Sequence, residues 1–461
     1  MFHNSSGTIC AISTPAGQGG IAVIRVSGDD AFPICNQIFR PAIIQSKDKN
    51  QKSEIRFGRI FRGDEILDEV LVSTFCEPHS YTGENTVEIS CHGSLYIQQE
   101  IIKLLIDNGC RLATAGEFTQ RAFLNGKLDL SQAEAVGDLI ASTSAAAHRI
   151  AMQQMRGGIS AELAALRDKL LHFTSLVELE LDFAEEDVEF ADRKQLKNLA
   201  LQVETTIRRL AGSFEAGNAI KNGIPVAIAG ETNVGKSTLL NRLLKEERAI
   251  VSDIHGTTRD AIEDTIVIDG LMFRFIDTAG IRKTCDTIEQ LGIERSFQKI
   301  EQASIVLWVI DLTNDTEYRL SEQISNYKKI ILTLNKADLL TNRELMQKTE
   351  YYSRLNEDYI VISAKSDADI AMLERKLVET ANIPQIGEND VIIANMRHYE
   401  ALILAASAIQ RVIQGLDTGI SGDFLSQDIR ECLFNLQQIT GQQITTEDVL
   451  ENIFSRFCIG K

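Results

Sequence analysis

The run Gly230-Glu231-Thr232-Asn233-Val234-Gly235-Lys236-Ser237-Thr238 matches G-x-x-x-x-G-K-[ST] in full, and it constrains the fold more than any other stretch of the chain. Val226-Ala227-Ile228-Ala229 before it reads as a buried strand, and Leu239 to Leu244 after it continue as an amphipathic helix. Strand, glycine-rich turn and helix in that order make a phosphate cradle rather than a chance Gly/Ser turn. Gly230 and Gly235 let backbone N–H groups turn inward, Lys236 neutralises the outer phosphates, and the Ser237 hydroxyl can ligate magnesium.

Around this loop, from Pro225 to Pro384, strand and helix signals alternate as in a mostly parallel sheet covered by helices. Strands are expected at Val226 to Ala229, Ile262 to Ile268, Leu271 to Ile276, Ile305 to Ile310, Ile330 to Leu334 and Tyr359 to Ile362. Further motifs fall at strand ends, where open α/β sheets bind ligands. In Asp277-Thr278-Ala279-Gly280, Asp277 can hold the magnesium shell and the Gly280 amide can meet a γ-phosphate. Thr258, in Gly256-Thr257-Thr258, can complete the shell only while that phosphate is present.

The base is read by Asn335-Lys336-Ala337-Asp338. A carboxylate such as Asp338 accepts from both N1–H and the 2-amino group of guanine, donors that adenine lacks. An unmet buried polar pair discriminates by on the order of 10⁴, so GTP is favoured over ATP. Ser363-Ala364-Lys365, after the next strand, would offer a backbone N–H to the guanine oxygen. A lone N-K-x-D is weak, but five elements in order, each after its strand or helix, form a specific signal.

At 461 residues the length prior allows about three domains. A net charge of −18 argues against coating nucleic acid by bulk electrostatics and leaves a local basic site or a partner as routes to RNA. Cysteines at 10, 35, 76, 91, 110, 285, 432 and 458 show no C-x-x-C pair or metal-ligand spacing, which fits a reduced, cytoplasmic compartment. No apolar run nears the ~18 residues that a bilayer requires, so no membrane role is expected.

Up to about Thr119 the chain reads as mixed α and β. Strands are expected at Thr8 to Ile12, Ile21 to Val26, Val70 to Val72 and Thr86 to Ile89, helices at Ala31 to Phe39 and Leu95 to Asp107, and a polar, mobile loop at Gln45 to Glu54. Prolines then vanish between Pro78 and Pro225, and the stretch from 120 to 215 is helical by period. Ile159, Leu163, Leu166, Leu170, Phe173, Val177 and Leu181 form one stripe, and Leu196, Leu199, Val203, Ile207, Leu210 and Phe214 a second. Two long antiparallel helices joined by the acidic turn Asp182 to Glu189 are the simplest arrangement, the turn being a solvated connection or, as a minority reading, a cation site. Helical period returns after Pro384 through Met396, Tyr399, Ile403, Val412 and Leu416, then from Ser426 to Ile439. An α/β domain inserted into one discontinuous helical domain accounts for this order. The boundaries are 1–119, an α+β N-terminal domain; 120–216 and 385–461, the helical domain; and 217–384, the inserted Ras-like P-loop domain.

Further stretches carry a resemblance. They are Thr14 to Ile21 with Ile24-Arg25-Val26-Ser27-Gly28, Ser80-Tyr81-Thr82-Gly83-Glu84, Gly116-Glu117-Phe118-Thr119, Arg121 to Leu130, and the terminal Phe457-Cys458-Ile459-Gly460-Lys461. With the nucleotide motifs they cover essentially the whole chain, which resembles the tRNA-modifying GTPase family MnmE, also called TrmE. The resemblance implies an N-terminal domain that dimerises and binds a one-carbon tetrahydrofolate, in the 5-formyl or methylene form. It further implies a G domain whose GTP to GDP cycle drives association across a homodimer. A flavoprotein partner, MnmG, joins it in a heterotetramer or larger assembly that adds an aminomethyl or carboxymethylaminomethyl group at carbon 5 of the tRNA wobble uridine.

By position, the resemblance places folate at Arg25, Glu88 and Lys127, with Lys461 nearby, and sets Cys458 at the family's C-terminal cysteine. It places potassium at Asn233 and the loop Ser252-Asp253-Ile254-His255-Gly256-Thr257, with Asn233, Ser252, Ile254 and Thr257 as ligands, where the cation would stand in for an arginine finger. It makes Glu289 the residue that orients the attacking water. Thr232 departs from the proline common in the family and frees one φ angle without touching Asn233.

Without the resemblance, Arg25 would read as a plain surface charge, Glu88 and Lys127 as uninformative, and Glu289 as a helix-start acid. Cys458-Ile459-Gly460-Lys461 has the outline of a prenylation box but the wrong last residue and no basic run before it. His79 and His92 lack partners at ligand spacing. Two rival functions remain: a ribosome-assembly GTPase that binds RNA without modifying it, though no GXXG module follows Pro384, and a folate enzyme with a regulatory G domain that acts without a partner.

Overall fold

The structure, a computed structural model, describes residues 7–42, 53–182, 193–246, 264–276, 302–314, 329–354, 358–384, 387, 390–441, 450, 453–455 and 457–460. The chain forms two compact units, one of Met1–Ile140, Met152–Ile207 and Ala401–Lys461, the other of Ala141–Ala151 and Arg208–Glu400.

In the first unit β1 (Ile9–Ile12), β2 (Gly19–Ser27), β3 (Phe39–Pro41), β4 (Ser53–Arg62), β5 (Glu65–Phe75), β6 (Thr86–Gly93) and β7 (Arg111–Leu112) make a seven-stranded sheet of order β3-β4-β5-β6-β2-β1-β7. Neighbours are antiparallel except β1 and β7. Alternation along the strands sends Ile24, Val26, Val70, Val72, Val87, Ile89 and Cys91 to one face, where they pack with Ile34 and Ile38 of α1 (Ala31–Ile38) and Ile101 and Leu105 of α2 (Leu95–Asp107). The opposite face carries Arg25 directly across from Glu88. β3 and β4 lie beyond the sequence-based expectation, and Ser53 and Glu54, assigned there to a loop, begin β4. The rest of that loop lies outside the described residues.

The helical part holds α3 (Glu117–Leu124), α4 (Leu130–Ala141), α5 (Ala145–Met155), α6 (Gly158–Asp182), α7 (Arg193–Gly212), α8 (Phe214–Asn222), and, later in the chain, two long helices taken up below. The first expected stripe is confirmed: Ile159, Leu163, Leu166, Leu170, Phe173 and Val177 are all buried on α6, each worth about 1.5–3 kcal/mol. On α7, Leu199 is half-buried, and the smaller Ala200 takes the fully buried position beside Leu196 and Val203. The main partner of α6 is the far-downstream helix Gly422–Thr440; the acidic stretch after Asp182 lies outside the described residues.

The second unit is built on β8 (Ile224–Ala229), β9 (Asp264–Ile268), β10 (Leu271–Phe275), β11 (Ile305–Asp311), β12 (Lys329–Asn335) and β13 (Tyr359–Val361), in the order β13-β12-β11-β8-β10-β9. All pairings are parallel except that of edge strand β9 with β10. This is the expected mostly parallel, Ras-like sheet. Helices α9 (Lys236–Glu246), α10 (Asn342–Ser353) and α11 (Asp367–Ala381) follow strands or motif loops. Thr341 starts α10 in a capping box with Glu344.

Two long helices close the chain, α12 (Met396–Thr418) and α13 (Gly422–Thr440). Of the expected stripe on α12, Val412 and Leu416 are buried, but Met396 and Ile403 are exposed, and Leu402, Ala405 and Ile409 line the buried face in the first half of the helix instead. Alanines fill the close approaches that a pattern of large residues does not reveal.

Candidate functional site

In the second unit the phosphate loop grows out of β8. Gly230 takes φ +140° and Gly235 φ +101°. A Cβ on Gly230 would lie 2.3 Å from the Val309 carbonyl oxygen, and one on Gly235 would lie 2.3 Å from Asn335 Nδ2, so side chains are excluded at both positions. Asn233 sits between them in the left-handed region, φ +64°, a conformation asparagine tolerates better than most residues. Its side chain is exposed, Val234 is buried, and Lys236 opens α9 with its ammonium donating to the Gly230 carbonyl at 2.6 Å and the Glu231 carbonyl at 2.5 Å. Burial pulls the Lys236 ammonium below its ordinary pKa, with Glu231 opposing weakly. Ser237 and Thr238 follow in the first turn of α9, where helix amides and the helix dipole favour an anion.

The Asn335-Lys336-Ala337-Asp338 tetrad is joined to this loop by side chains. Asn335, 2% exposed at the end of β12, donates from Nδ2 to the Val234 carbonyl at 2.8 Å and accepts at Oδ1 from the Ala364 amide at 3.0 Å. Asn335 therefore ties the phosphate loop and the Ser363-Ala364-Lys365 loop to one strand end. Lys336 donates to the Asn233 carbonyl at 2.9 Å. Asp338 lies in a single 3₁₀ turn, Ala337–Leu339, with Lys365 Nζ 4.0 Å from its carboxylate. The Ser363 amide donates to Asp369 at 2.7 Å, and that of Lys365 makes only a 3.3 Å bond to the Ser363 hydroxyl. Of the three amides in that loop, Lys365's is the least committed, a distinction that the sequence did not supply. Arg242 of α9 donates to the Lys365 carbonyl at 3.0 Å and pairs with Asp367.

Asp311 belongs to this site and escaped the motif search. It ends the apolar strand β11, where a lone aspartate reads as a turn residue; its only sequence signal is its place at a sheet end facing the loops. Burial would raise its carboxyl, yet Lys336 and Thr313 hold it below the ordinary range.

The described residues thus bring together Asn233 to Thr238, Asn335, Lys336, Asp338 and Ser363 to Lys365. Ser252, Asp253, Ile254, His255, Gly256, Thr257, Thr258, Asp277, Thr278, Ala279, Gly280, Glu289 and Lys461 lie outside the described residues. Among the described residues no cluster of three His, Cys, Asp or Glu could hold a metal ion, and no helix is long and apolar enough to cross a membrane.

In the first unit, Arg25 and Glu88 form a cross-strand ion pair, 2.8 Å, on the outer sheet face. The guanidinium lies 5.1 Å from the Tyr81 ring centroid and 5.5 Å from that of Phe118, within cation–π range. Burial raises the Tyr81 phenol, opposed by its 2.8 Å hydrogen bond with Thr119 and by Arg25. Lys127 donates to the Pro78 carbonyl at 2.9 Å. Beneath lies a buried ionic network: Arg121 donates to Glu84 at 3.0 Å, to Glu117 at 3.1 Å and to the Gly7 carbonyl at 3.0 Å. Arg111 pairs with Glu117 in bidentate fashion. Burial opposes ionisation of Glu117, but the bonds from Arg111 and the Thr114 amide outweigh it and hold its pKa at about 2. The C-terminal strip joins this unit through a bridge between Ala115 and Ile459 and a 3.0 Å bond from Ser13 to the Gly460 carbonyl, with Cys458 exposed.

Comparisons with known proteins identify the family. A family model described as MnmE helical domain matches residues 130–458, and one described as GTP-binding protein TrmE N-terminus matches 8–127. The chain is 59% identical to the tRNA modification GTPase MnmE of Bacteroides fragilis over 98% of this chain and 99% of that one. It is equally similar to that of Bacteroides thetaiotaomicron, 59% with the same coverage, and 53% identical to that of Flavobacterium johnsoniae over 98% and 99%. Among solved structures, the FeoB G-domain from Methanococcus jannaschii aligns at 25% identity over 34% of this chain and 96% of that domain, with a TM-score of 0.25. The chain belongs to the tRNA modification GTPase MnmE family.

Proposed function

We propose that this chain binds GTP, hydrolyses it to GDP and phosphate with magnesium and potassium, and couples the cycle to modification of tRNA at carbon 5 of the wobble uridine. The observation that carries the nucleotide reading is Asn335, whose one side chain fixes the phosphate loop at Val234 and the base loop at Ala364. A ligand with phosphates on the first and a guanine on the second meets two loops that Asn335 already holds together. Ser237, at the start of α9, suits a hard magnesium ion that keeps most of its water, with Thr258 and Asp277 completing the shell. Lys236 offsets charge on the transferring phosphoryl group, and Glu289 orients water. Potassium would be held by Asn233 together with Ser252, Ile254 and Thr257. The exposed amide oxygen of Asn233 suits such a hard monovalent cation.

The one-carbon tetrahydrofolate is assigned to Arg25, Glu88 and Lys127, with Lys461. A guanidinium and a carboxylate beside the rings of Tyr81 and Phe118 fit a flat heterocycle with donor and acceptor edges. When bound, that cofactor supplies the single carbon; the chain's residues bind and orient it, and Cys458 stands at the exposed end of the strip docked beside Ala115. The tRNA step is assigned to a cytoplasmic homodimer acting with the flavoprotein MnmG. The boundaries at 119, 216 and 384 separate the folate, helical and nucleotide parts. Family membership favours this over a ribosome-assembly role.

Phosphate release measured with GTP and ATP in potassium and in sodium salts tests the first half. GTP-selective turnover that falls in sodium is expected, and equal rates with both nucleotides would overturn the reading. For the second half, mass spectrometry of tRNA from cells lacking the chain should show unmodified wobble uridine, and intact modification would refute it.

A further inference from the structure

Asp311 closes β11 with its side chain 7% exposed, and both of its oxygens are engaged. Oδ1 accepts from the Thr313 amide at 2.9 Å and from the Thr313 hydroxyl at 2.7 Å. Oδ2 accepts from Lys336 Nζ at 2.6 Å, and that same ammonium donates to the Asn233 carbonyl at 2.9 Å. The Lys336 side chain is 31% exposed; a flexible four-carbon stem with a strongly hydrated head stays at one carbonyl only if something else holds it there. Asp311 is the charged group that does so, from a site largely shielded from water where its attraction is less screened.

We propose that Asp311 is a positioning residue for guanine-nucleotide binding: acting through Lys336, it fixes the Asn233 carbonyl and so holds the phosphate loop in register with the turn that carries Asp338. This rests on the guanine-nucleotide reading. It assigns a role in nucleotide binding to a residue outside the five motifs, and it makes one ion pair a second link, beside Asn335, between the base end and the phosphate end of the site. The competing role is local: Asp311 would merely cap the turn after β11 through Thr313.

A double-mutant cycle separates the two. Fluorescently labelled GDP is titrated into the full chain as wild type, Asp311→Asn, Lys336→Met and the double variant. Asparagine keeps an oxygen acceptor for the Thr313 donors, so the turn is retained, while its Nδ2 replaces the oxygen that accepts from Lys336 and the ion pair is lost. Asp311→Asn is expected to weaken binding roughly tenfold, the scale of one charge-assisted hydrogen bond. The double variant is expected to bind no more weakly than Lys336→Met alone. Independent, multiplying effects would overturn the proposal, as would binding by Asp311→Asn within twofold of wild type. A turn-capping role would lower the nucleotide-free melting midpoint without this coupling. Should Asp311→Asn prove insoluble, Asp311→Ser enters the same cycle. A wild type that does not prefer labelled GDP over labelled ADP strikes down the guanine reading itself, whereas a GDP-selective wild type with a multiplicative cycle removes only Asp311.

Discussion

Replacing Gly235 by alanine probes the contact on which the nucleotide site is built. The added Cβ would lie 2.3 Å from Asn335 Nδ2, at a backbone φ of +101°. That distance is more than an ångström inside ordinary contact, so either the loop lifts or Asn335 withdraws. Backbone strain at such a φ costs about 1–3 kcal/mol. Losing the 2.8 Å bond to Val234 leaves a buried donor unmet, at a further 1–3 kcal/mol or so. Together these amount to roughly 2–6 kcal/mol, shared between stability and the shape of the cradle. If about half falls on the cradle, affinity drops roughly five- to 150-fold. Titration with fluorescently labelled GDP measures this directly. Gly419→Ala is the control, because Gly419 also has a positive φ of +72° but nothing within 4 Å of an added Cβ. It should pay in stability and leave affinity unchanged. Wild-type affinity in Gly235→Ala would refute the claim that the Gly235–Asn335 contact sets the loop.

Acid stability should depend on Glu117. Its pKa is depressed in the fold from the usual 4.5 to about 2, so its contribution is complete above pH ~4.5 and is lost as pH falls toward 2. At about 1.4 kcal/mol per pH unit this is roughly 3 kcal/mol, and Glu117→Gln should flatten that part of the stability profile measured by chemical denaturation; an unchanged slope would show that the Arg111 and Arg121 bonds do not hold the charge. Glu289→Ala should lower GTP turnover by two orders of magnitude or so while nucleotide still binds, and normal turnover would take Glu289 out of the reaction.

Much of the nucleotide domain was legible because its chemistry is local. Val226 to Ala229, the loop to Thr238 and the helix after it are contiguous, and Asn335 and Asp338 announce themselves within four residues of a strand. What joins these pieces was not legible. The Asn335 bonds to Val234 and Ala364 and the Lys336 bridge from Asp311 to Asn233 connect residues as much as 103 positions apart, and no spacing rule encodes such pairs. In the N-terminal sheet, β4 was missed because its residues Ile55, Arg56, Phe57 and Arg59 offer no clear polar face: Ile55 and Phe57 are exposed beside the charged residues. The buried Arg121–Glu117 pair was hidden for a simpler reason, since charged residues on a helix are expected outside. In α12 the expected Val412 and Leu416 are buried, but Met396 and Ile403 misled, because in the first half of the helix alanines share the packing face with Leu402 and Ile409.

The central claim is that Asp338 reads guanine in a cradle tied together by Asn335. The most direct measurement is competitive binding of GTP and xanthosine triphosphate to the wild type and to Asp338→Asn, by displacement of a fluorescent guanine nucleotide. Xanthine replaces the 2-amino donor by an oxygen, so an amide at 338 can donate where the carboxylate could only accept. The wild type should prefer GTP and the variant should invert that preference, whereas unchanged GTP affinity in Asp338→Asn would contradict the account.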